Sequence, residues 1–287
     1  MFLALIYGLT AIMARYFSQE VGIFESWYIR LAISAVLMLM LFHRKIDFKK
    51  FRRIGKKDWS LLVFRALAAS LLGTLLCTLS TCYTSIGAVA AMQVVPMTAI
   101  FGVIILGEKL NRRNTALIAL AFVGALMVVM RSTSDIGFGL GELLSLASAA
   151  LFSLTFVLRK LQTNLLNDME LAFVATIVAF LGNYLFASVF EQAWLVDTSQ
   201  FTPTLMLLFI GGGLASALTW TLSNYGLSQV RATTASVILN LELVFGAFMG
   251  YLLYKEILSP LQFVGATIIL IAVIGMSYLE TQSKVDG

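Results

Sequence analysis

Polar side chains inside two long apolar stretches are the residues of this sequence best suited to bind a solute. Within each stretch they recur every three or four positions, which places them on one face of a helix. The set comprises Thr74, Cys77 and Thr78 in one stretch, and Ser216, Trp220, Ser223 and Asn224 in the other. Two such faces could form opposite walls of a water-filled pathway. The alternative is that the small hydroxyl groups only hydrogen-bond between packed helices.

Two amide side chains lie near the centres of two further apolar stretches. Gln93 comes three residues before Pro96, and Asn240 occupies the corresponding place later in the chain. Because proline removes a backbone hydrogen bond, a site at this depth could combine the Gln93 amide with exposed backbone groups. Gln93 and Asn240 therefore join the candidate solute-binding residues, although Pro96 could serve only to kink its helix.

Glu242 is a carboxyl group near the middle of an apolar stretch. Hydrocarbon penalises a charge there, so the group must be protonated, paired or hydrated. It could couple solute movement to a proton gradient, or it could bind a substrate ammonium group. The alternative is a neutral acid that hydrogen-bonds to a neighbouring helix.

The sequence lacks the residue sets of an enzyme or a metal site. His43 is the only histidine, and it borders a basic loop. The two cysteines, Cys77 and Cys82, lie roughly 140° apart around one predicted helix, which is poor disulfide geometry. Neither a zinc site nor a histidine-based catalytic group is available. We predict a protein that is not an enzyme and that needs no cofactor and no metal.

The elements that must position these side chains are membrane helices. The 287 residues are 60% hydrophobic and 12% charged, with a mean hydropathy of +0.92, which excludes a water-soluble domain. A helix of roughly 20 mostly apolar residues crosses about 30 Å of hydrocarbon. The sequence therefore predicts an all-α membrane protein in the lipid bilayer, with no separate soluble module. Ten stretches are long and apolar enough: 2–17, 24–43, 59–82, 86–106, 113–131, 139–158, 168–190, 203–227, 232–254 and 260–280.

The chain contains two copies of one five-helix unit, near residues 1–131 and 139–287. Matching segments keep their order while their offset drifts by a few residues, which indicates a duplication with small insertions. Because five is an odd number, the second copy should be inverted in the membrane. The first stretch recurs within the repeat, so we expect it to be a retained helix and not a cleaved signal peptide. The alignments pair residues 7–15 with 152–160 (offset 145), Thr78 with Thr221 (offset 143) and Gln93 with Asn240 (offset 147).

Basic residues predict the orientation, since Lys and Arg accumulate in cytoplasmic loops. The loop 43–58 carries eight of them. We expect this loop and both termini to be cytoplasmic, in a multi-pass protein of the cytoplasmic membrane. The net charge of +5 then reflects topology, and no nucleic-acid partner is expected.

Four short motifs accompany the inverted repeats in a fixed order: Arg30 early in the second span, Cys82 to Ala88 between the third and fourth, Gly107-Glu108-Lys109-Leu110, and Leu241-Glu242-Leu243-Val244. Together they resemble the EamA-type branch of the drug/metabolite transporter superfamily, over essentially the whole chain. The resemblance implies a plasma-membrane secondary transporter with a central cavity between two EamA-like repeats. Such proteins move small metabolites, often amino acids, out of the cell by alternating access.

One departure from that family concerns gating. Leu243 follows Glu242 where the family often has proline, so a symmetric pair of kinks is not expected. Uptake or exchange, for example of S-adenosylmethionine or a nucleotide-linked solute, is the alternative to export. A lipid scramblase or a membrane enzyme is the alternative from another class. The expected partners are a small-molecule substrate, the lipid bilayer and, through Glu242, protons.

Overall fold

The prediction of an all-α fold is confirmed. The computed structural model describes residues 2–7, 22–129, 139–192, 194, 202–254 and 259–285, and the regular elements of these ranges are helices. Residues 2–7 are helical, and a π-helical segment, Ala68–Gly73, joins α2 to α3. The α-helices are α1 (Ile23–Phe42), α2 (Lys56–Leu67), α3 (Thr74–Thr81), α4 (Ile86–Gln93), α5 (Met97–Leu106), α6 (Arg112–Val129), α7 (Leu140–Leu158), α8 (Asp168–Phe190), α9 (Pro203–Gln229), α10 (Ala232–Leu239), α11 (Leu241–Tyr254) and α12 (Pro260–Val285).

Nine of the ten predicted spans have a counterpart among the described residues. Each is long and apolar enough to cross a membrane, and each lies within a few residues of its predicted bounds. Most of the remaining stretch, 2–17, falls outside the described residues. The nine are Phe24–Lys45, Lys56–Thr81, Ala88–Leu106, Arg112–Val129, Leu140–Leu161, Asp168–Phe190, Pro203–Gln229, Ala232–Leu252 and Pro260–Gln282.

The chain forms two compact units that do not coincide with the two sequence repeats. Unit 1 comprises Met1–Leu9, Leu72–Lys160 and Gly226–Gly287, and unit 2 comprises Thr10–Leu71 and Leu161–Tyr225. Each unit therefore takes helices from both repeats. The chain passes from one unit to the other inside helical structure at three places: in the π-helical segment, in the 3-10 helix Arg159–Leu161 and near the end of α9.

Unit 1 is held together by a close crossing of α6 and α12. A Cβ atom added to Gly124 would lie 2.9 Å from the carbonyl oxygen of Gly265, and one added to Gly265 would lie 2.6 Å from the carbonyl oxygen of Gly124. The two backbones are thus in direct contact, as small residues permit between membrane helices. Around this contact lies an apolar cluster that includes Ile118, Ala121, Ala125, Ile269, Ala272 and Met276.

Unit 2 packs α1 and α2 against α8. The loop after α1 is attached to the start of α8 by Glu170, which is fully buried. Its carboxylate accepts a hydrogen bond from the backbone N–H of Asp47 at 2.9 Å and pairs with Lys50 Nζ at 3.2 Å. The basic loop and the segment that precedes α8 therefore lie at the same end of this unit.

Candidate functional site

The fourth span is broken at the predicted place. Gln93 is the last residue of α4, and Pro96 precedes the first residue of α5. Between them the backbone N–H of Val95 donates to Met92 O at 3.3 Å, and that of Met97 donates to Val95 O at 2.7 Å. These bonds join residues that are three and two positions apart in the chain, whereas the hydrogen bonds of an α-helix join residues four positions apart. The span consequently consists of two short helices that meet beside the Gln93 amide.

The ninth span is also broken, and sequence reasoning did not predict a break there. Asn240 separates α10 from α11. Its backbone N–H donates to Val237 O at 3.2 Å, and its carbonyl accepts from the backbone N–H of Leu243 at 3.2 Å. These bonds span three residues, so one tight turn interrupts the helix. Glu242 lies two residues beyond, in the first turn of α11.

The two broken spans meet inside unit 1, where α5 packs against α10. A Cβ added to Gly102 would lie 2.8 Å from the Cβ of Ala232, so this contact needs glycine. Glu108, just after α5, accepts hydrogen bonds from the backbone N–H groups of Ala232 at 2.6 Å and Thr233 at 2.9 Å. It therefore caps the first turn of α10, where backbone donors lack helical partners.

Glu108 also forms an ion pair across the repeats. Its Oε1 lies 3.4 Å from Lys160 Nζ, whereas Lys109, the next residue along the chain, is exposed. Burial by itself would raise the pKa of the Glu108 carboxyl. That effect is outweighed by hydrogen bonds from the backbone of Thr233 and Ala232 and from the Thr233 side chain, and by the charge of Lys160. The pKa of the Glu108 carboxyl is therefore below its usual value.

This lowered pKa predicts a pH-dependent stability. A carboxyl group whose pKa is lower in the folded state stabilises the fold above its unfolded pKa of about 4.3, and this contribution is lost as the pH falls through the folded value. We expect the apparent Tm of the wild type to approach that of Glu108→Gln as the pH falls from about 6 to about 3. At neutral pH the variant should be less stable by about 1 kcal/mol. A constant difference between the two proteins over this range would contradict the assignment.

The Gln93 amide is attached to α7. Its Nε2 donates to Ser145 O at 3.2 Å and to Ser145 Oγ at 3.4 Å, while Ser145 Oγ donates to Val89 O at 2.8 Å. On the same face of α7, Ser153 Oγ accepts from Thr98 Oγ1 at 3.0 Å. Sequence reasoning missed this serine face, although its helical spacing was visible in the sequence.

The polar residues of α3 are half-buried. Thr74, Cys77 and Thr78 lie on a helix that packs against α7, and both cysteines of the chain are free thiols. Just before α3, the Gly73 carbonyl accepts a hydrogen bond from Ser148 Oγ at 2.8 Å. Asn240 and Glu242 are half-buried as well. Unit 1 thus contains six of the predicted site residues.

The other four lie on α9 in unit 2. Ser216, Ser223 and Asn224 are buried, and Trp220 is half-buried against the apolar core of the unit. Asn224 Nδ2 donates to Trp220 O at 2.8 Å, and Asn224 Oδ1 accepts from Nη1 and Nη2 of Arg65 at 3.4 Å each. The assembly of the ten residues into one solute site stays a prediction.

Arg65 is not among the site residues selected from the sequence. It is buried, and its Nη1 also donates to Gln162 Oε1. Gln162 was not considered at all, because an amide in a short loop carries no signal of its own. Only the fold brings it to the guanidinium.

Three comparisons with known proteins bear on this architecture. A family model described as the EamA-like transporter family matches residues 1–130 and 139–278. The chain is 28% identical over 274 residues to a protein of Archaeoglobus fulgidus described as an uncharacterized transporter, which covers 96% of this chain and 83% of that one. A solved crystal structure superposes with a TM-score of 0.81 at 13% identity, over 98% of this chain and 96% of the other. That last likeness concerns the fold alone.

Proposed function

The chain belongs to the EamA-like transporter family, and from this premise we propose that it is a secondary transporter of a small metabolite, such as an amino acid or a related solute. The proposed direction is export across the cytoplasmic membrane, and the proposed mechanism is alternating access. Uptake or exchange of a solute is the alternative. The transported solute is bound and released unchanged, so the proposal includes no catalytic step.

The observation that carries the proposal is the pair of broken spans in unit 1. Each is interrupted next to an amide side chain, Gln93 in one and Asn240 in the other. Discontinuous helices at mid-membrane depth are stable only where protein or a water-filled cavity satisfies the freed backbone groups. In secondary transporters with inverted repeats, such breaks surround the substrate site. The half-buried Glu242, two residues after Asn240, supports the same use.

Purified protein in liposomes tests this proposal. Liposomes loaded with a pool of small metabolites should release a subset faster than protein-free liposomes, and the rate should saturate with concentration. Asn240→Leu and Gln93→Leu should lower that rate about tenfold or more, since each removes a polar group from the proposed solute site. Gln282→Leu, which changes an exposed amide of α12, is the matched control and should leave it unchanged. Movement of labelled lipid without saturable solute release would instead indicate a scramblase.

The proposed orientation places the loop 43–58 and both termini in the cytoplasm. The structure supports a common side for this loop and the segment before α8, since Lys50 and Asp47 both contact Glu170. In a background that carries Cys77→Ser and Cys82→Ser, single cysteines at Lys50 and Ser283 should resist an impermeant thiol reagent in intact cells. A cysteine at Ser199, which lies outside the described residues, should react. Labelling at Lys50 without labelling at Ser199 would reverse the orientation.

A further inference from the structure

The guanidinium group of Arg65 lies in the interior of unit 2, where its hydrogen-bond partners include two neutral amides. Arg65 is 6% exposed, Gln162 is 5% exposed and Asn224 is 1% exposed. Gln162 Oε1 and Asn224 Oδ1 both accept from the guanidinium. These amides orient the cation and add no negative charge to its surroundings.

Gln162 presents a donor next to this cation. Its Nε2 is buried and has no hydrogen-bond partner among the residues that the structure describes. A buried donor left without an acceptor is destabilising, so a bound acceptor at this place would be favoured. Since Nε2 and Oε1 share one carbon atom, this donor lies beside the guanidinium, and one incoming oxygen could accept from both groups.

The contacts of Asn224 leave room for a stronger acceptor. Both guanidinium nitrogens lie 3.4 Å from its Oδ1, which is longer than the usual N–H···O distance of about 2.9 Å. A carboxylate or phosphate oxygen forms shorter and stronger bonds to arginine, and the planar fork of N–H groups matches two such oxygens at once. The Gln162 amide and the Arg65 guanidinium thus place several donors and one positive charge together, beside the weak neutral acceptor of Asn224. Such an arrangement is suited to bind an anion.

We propose that Arg65, Gln162 and Asn224 recognise an anionic group, a carboxylate or a phosphate, of the transported solute. This rests on the proposed transport function and adds the substrate class to it. Asn224 belongs to the polar face of α9 that sequence analysis selected, so the anion site extends that face. Arg65 and Gln162 contribute the charge and the extra donor that the face itself lacks.

Anion-specific stabilisation of the purified protein tests the site without a known substrate. The apparent Tm in detergent is measured in sodium acetate, in sodium phosphate and in sodium chloride at equal ionic strength. We expect one of the first two salts to raise the Tm of the wild type by about 2 °C or more above chloride. A response to acetate that Arg65→Gln lacks identifies a carboxylate, and a response to phosphate that Arg65→Gln lacks identifies a phosphate group, because phosphate also stabilises folds without binding. A wild type with the same Tm in all three salts would overturn the proposal.

The substitution Gln162→Glu distinguishes anion recognition by the Arg65 cluster from a purely structural role of that cluster. The substitution keeps the shape of the side chain but places a carboxylate against Arg65, which should preserve folding while it occupies the cation. We expect this variant and Arg65→Gln to lose the anion response, and Arg113→Gln, a change of an exposed arginine, to keep it. In liposomes Gln162→Glu should transport about tenfold or more slowly at equal abundance. A Gln162→Glu variant with wild-type transport would refute the anion site.

The two proposals fail in different ways. An anion response that depends on Arg65, in a protein that releases no solute from liposomes, would refute transport and retain the site. Release of solutes that carry no anionic group, or release that is unchanged in Arg65→Gln, would retain transport and refute the site.

Discussion

Glu242→Gln is expected to retain solute exchange between the two sides of the membrane and to lose accumulation driven by an imposed pH difference. A carboxyl group can carry a proton across only if it is exposed to each side in turn and can exist in both protonation states. Glutamine keeps nearly the same shape but cannot release a proton. The structure places Glu242 in the first turn of α11, immediately after the break at Asn240, where first-turn N–H groups lack helical acceptors.

The measurement is transport in proteoliposomes with and without a pH gradient. Glu242→Asp is the matched control, because it keeps a titratable group at the same position and should retain part of the gradient response. A structural role predicts another pattern, in which Glu242→Gln loses abundance or affinity and both transport modes fall together. If transport by the wild type is the same with and without the pH gradient, proton coupling is excluded, and facilitated diffusion or solute exchange remains.

Gly265→Ala is expected to cost about 3 kcal/mol and most of the folded protein in the membrane. The added methyl group would lie 2.6 Å from the carbonyl oxygen of Gly124, 2.8 Å from Met127 Cβ and 3.0 Å from Val128 N. Two of these atoms belong to backbone, so no side-chain rotation relieves the clash and α6 must separate from α12. This contact belongs to the crossing of α6 and α12, the two helices that supply most of the apolar cluster of unit 1.

Gly246→Ala is the matched control for that substitution. A Cβ at Gly246 would meet no atom within 4 Å, and the residue lies inside α11. Alanine has a higher helix propensity than glycine, so this change should be neutral or stabilise by up to about 1 kcal/mol. Abundance and apparent Tm of both variants provide the comparison. Equal values for Gly265→Ala and Gly246→Ala would contradict the close crossing.

The membrane helices could be predicted from sequence because each span must satisfy its own backbone groups. Long apolar stretches have little alternative to the helix in lipid, so 168–190 and Asp168–Phe190 agree at both ends. The division into two compact units could not be predicted. It depends on which helices pack side by side, and that information lies in contacts such as Gly124 with Gly265 that have no signature along the chain.

The candidate site shows the same limit. Pro96 predicts the break in the fourth span, since proline cannot continue the hydrogen-bond pattern of a helix. The break at Asn240 has no such marker because Leu243 replaces the proline that the resemblance would supply. The Arg65 cluster depends on a loop amide that is 97 residues away in the chain. A pattern of local spacing cannot reveal a partner at that separation.

The π-helical segment Ala68–Gly73 is a place where the two five-helix repeats can differ in length. A π-type turn accommodates an additional residue, and the hydrogen bonds of Ser70 Oγ to Ala66 O at 2.7 Å and of Ser148 Oγ to Gly73 O at 2.8 Å occupy carbonyls at its two ends. Loss of one residue here would restore α geometry without rotating α3 against α2, whereas the same loss inside α9 would rotate one half by about 100°. The offset between the repeats falls from 145 at residues 7–15 to 143 at Thr78, so the first repeat is two residues longer between these two points. We expect single-residue length differences among relatives to concentrate at this turn and to be absent from the interior of α9.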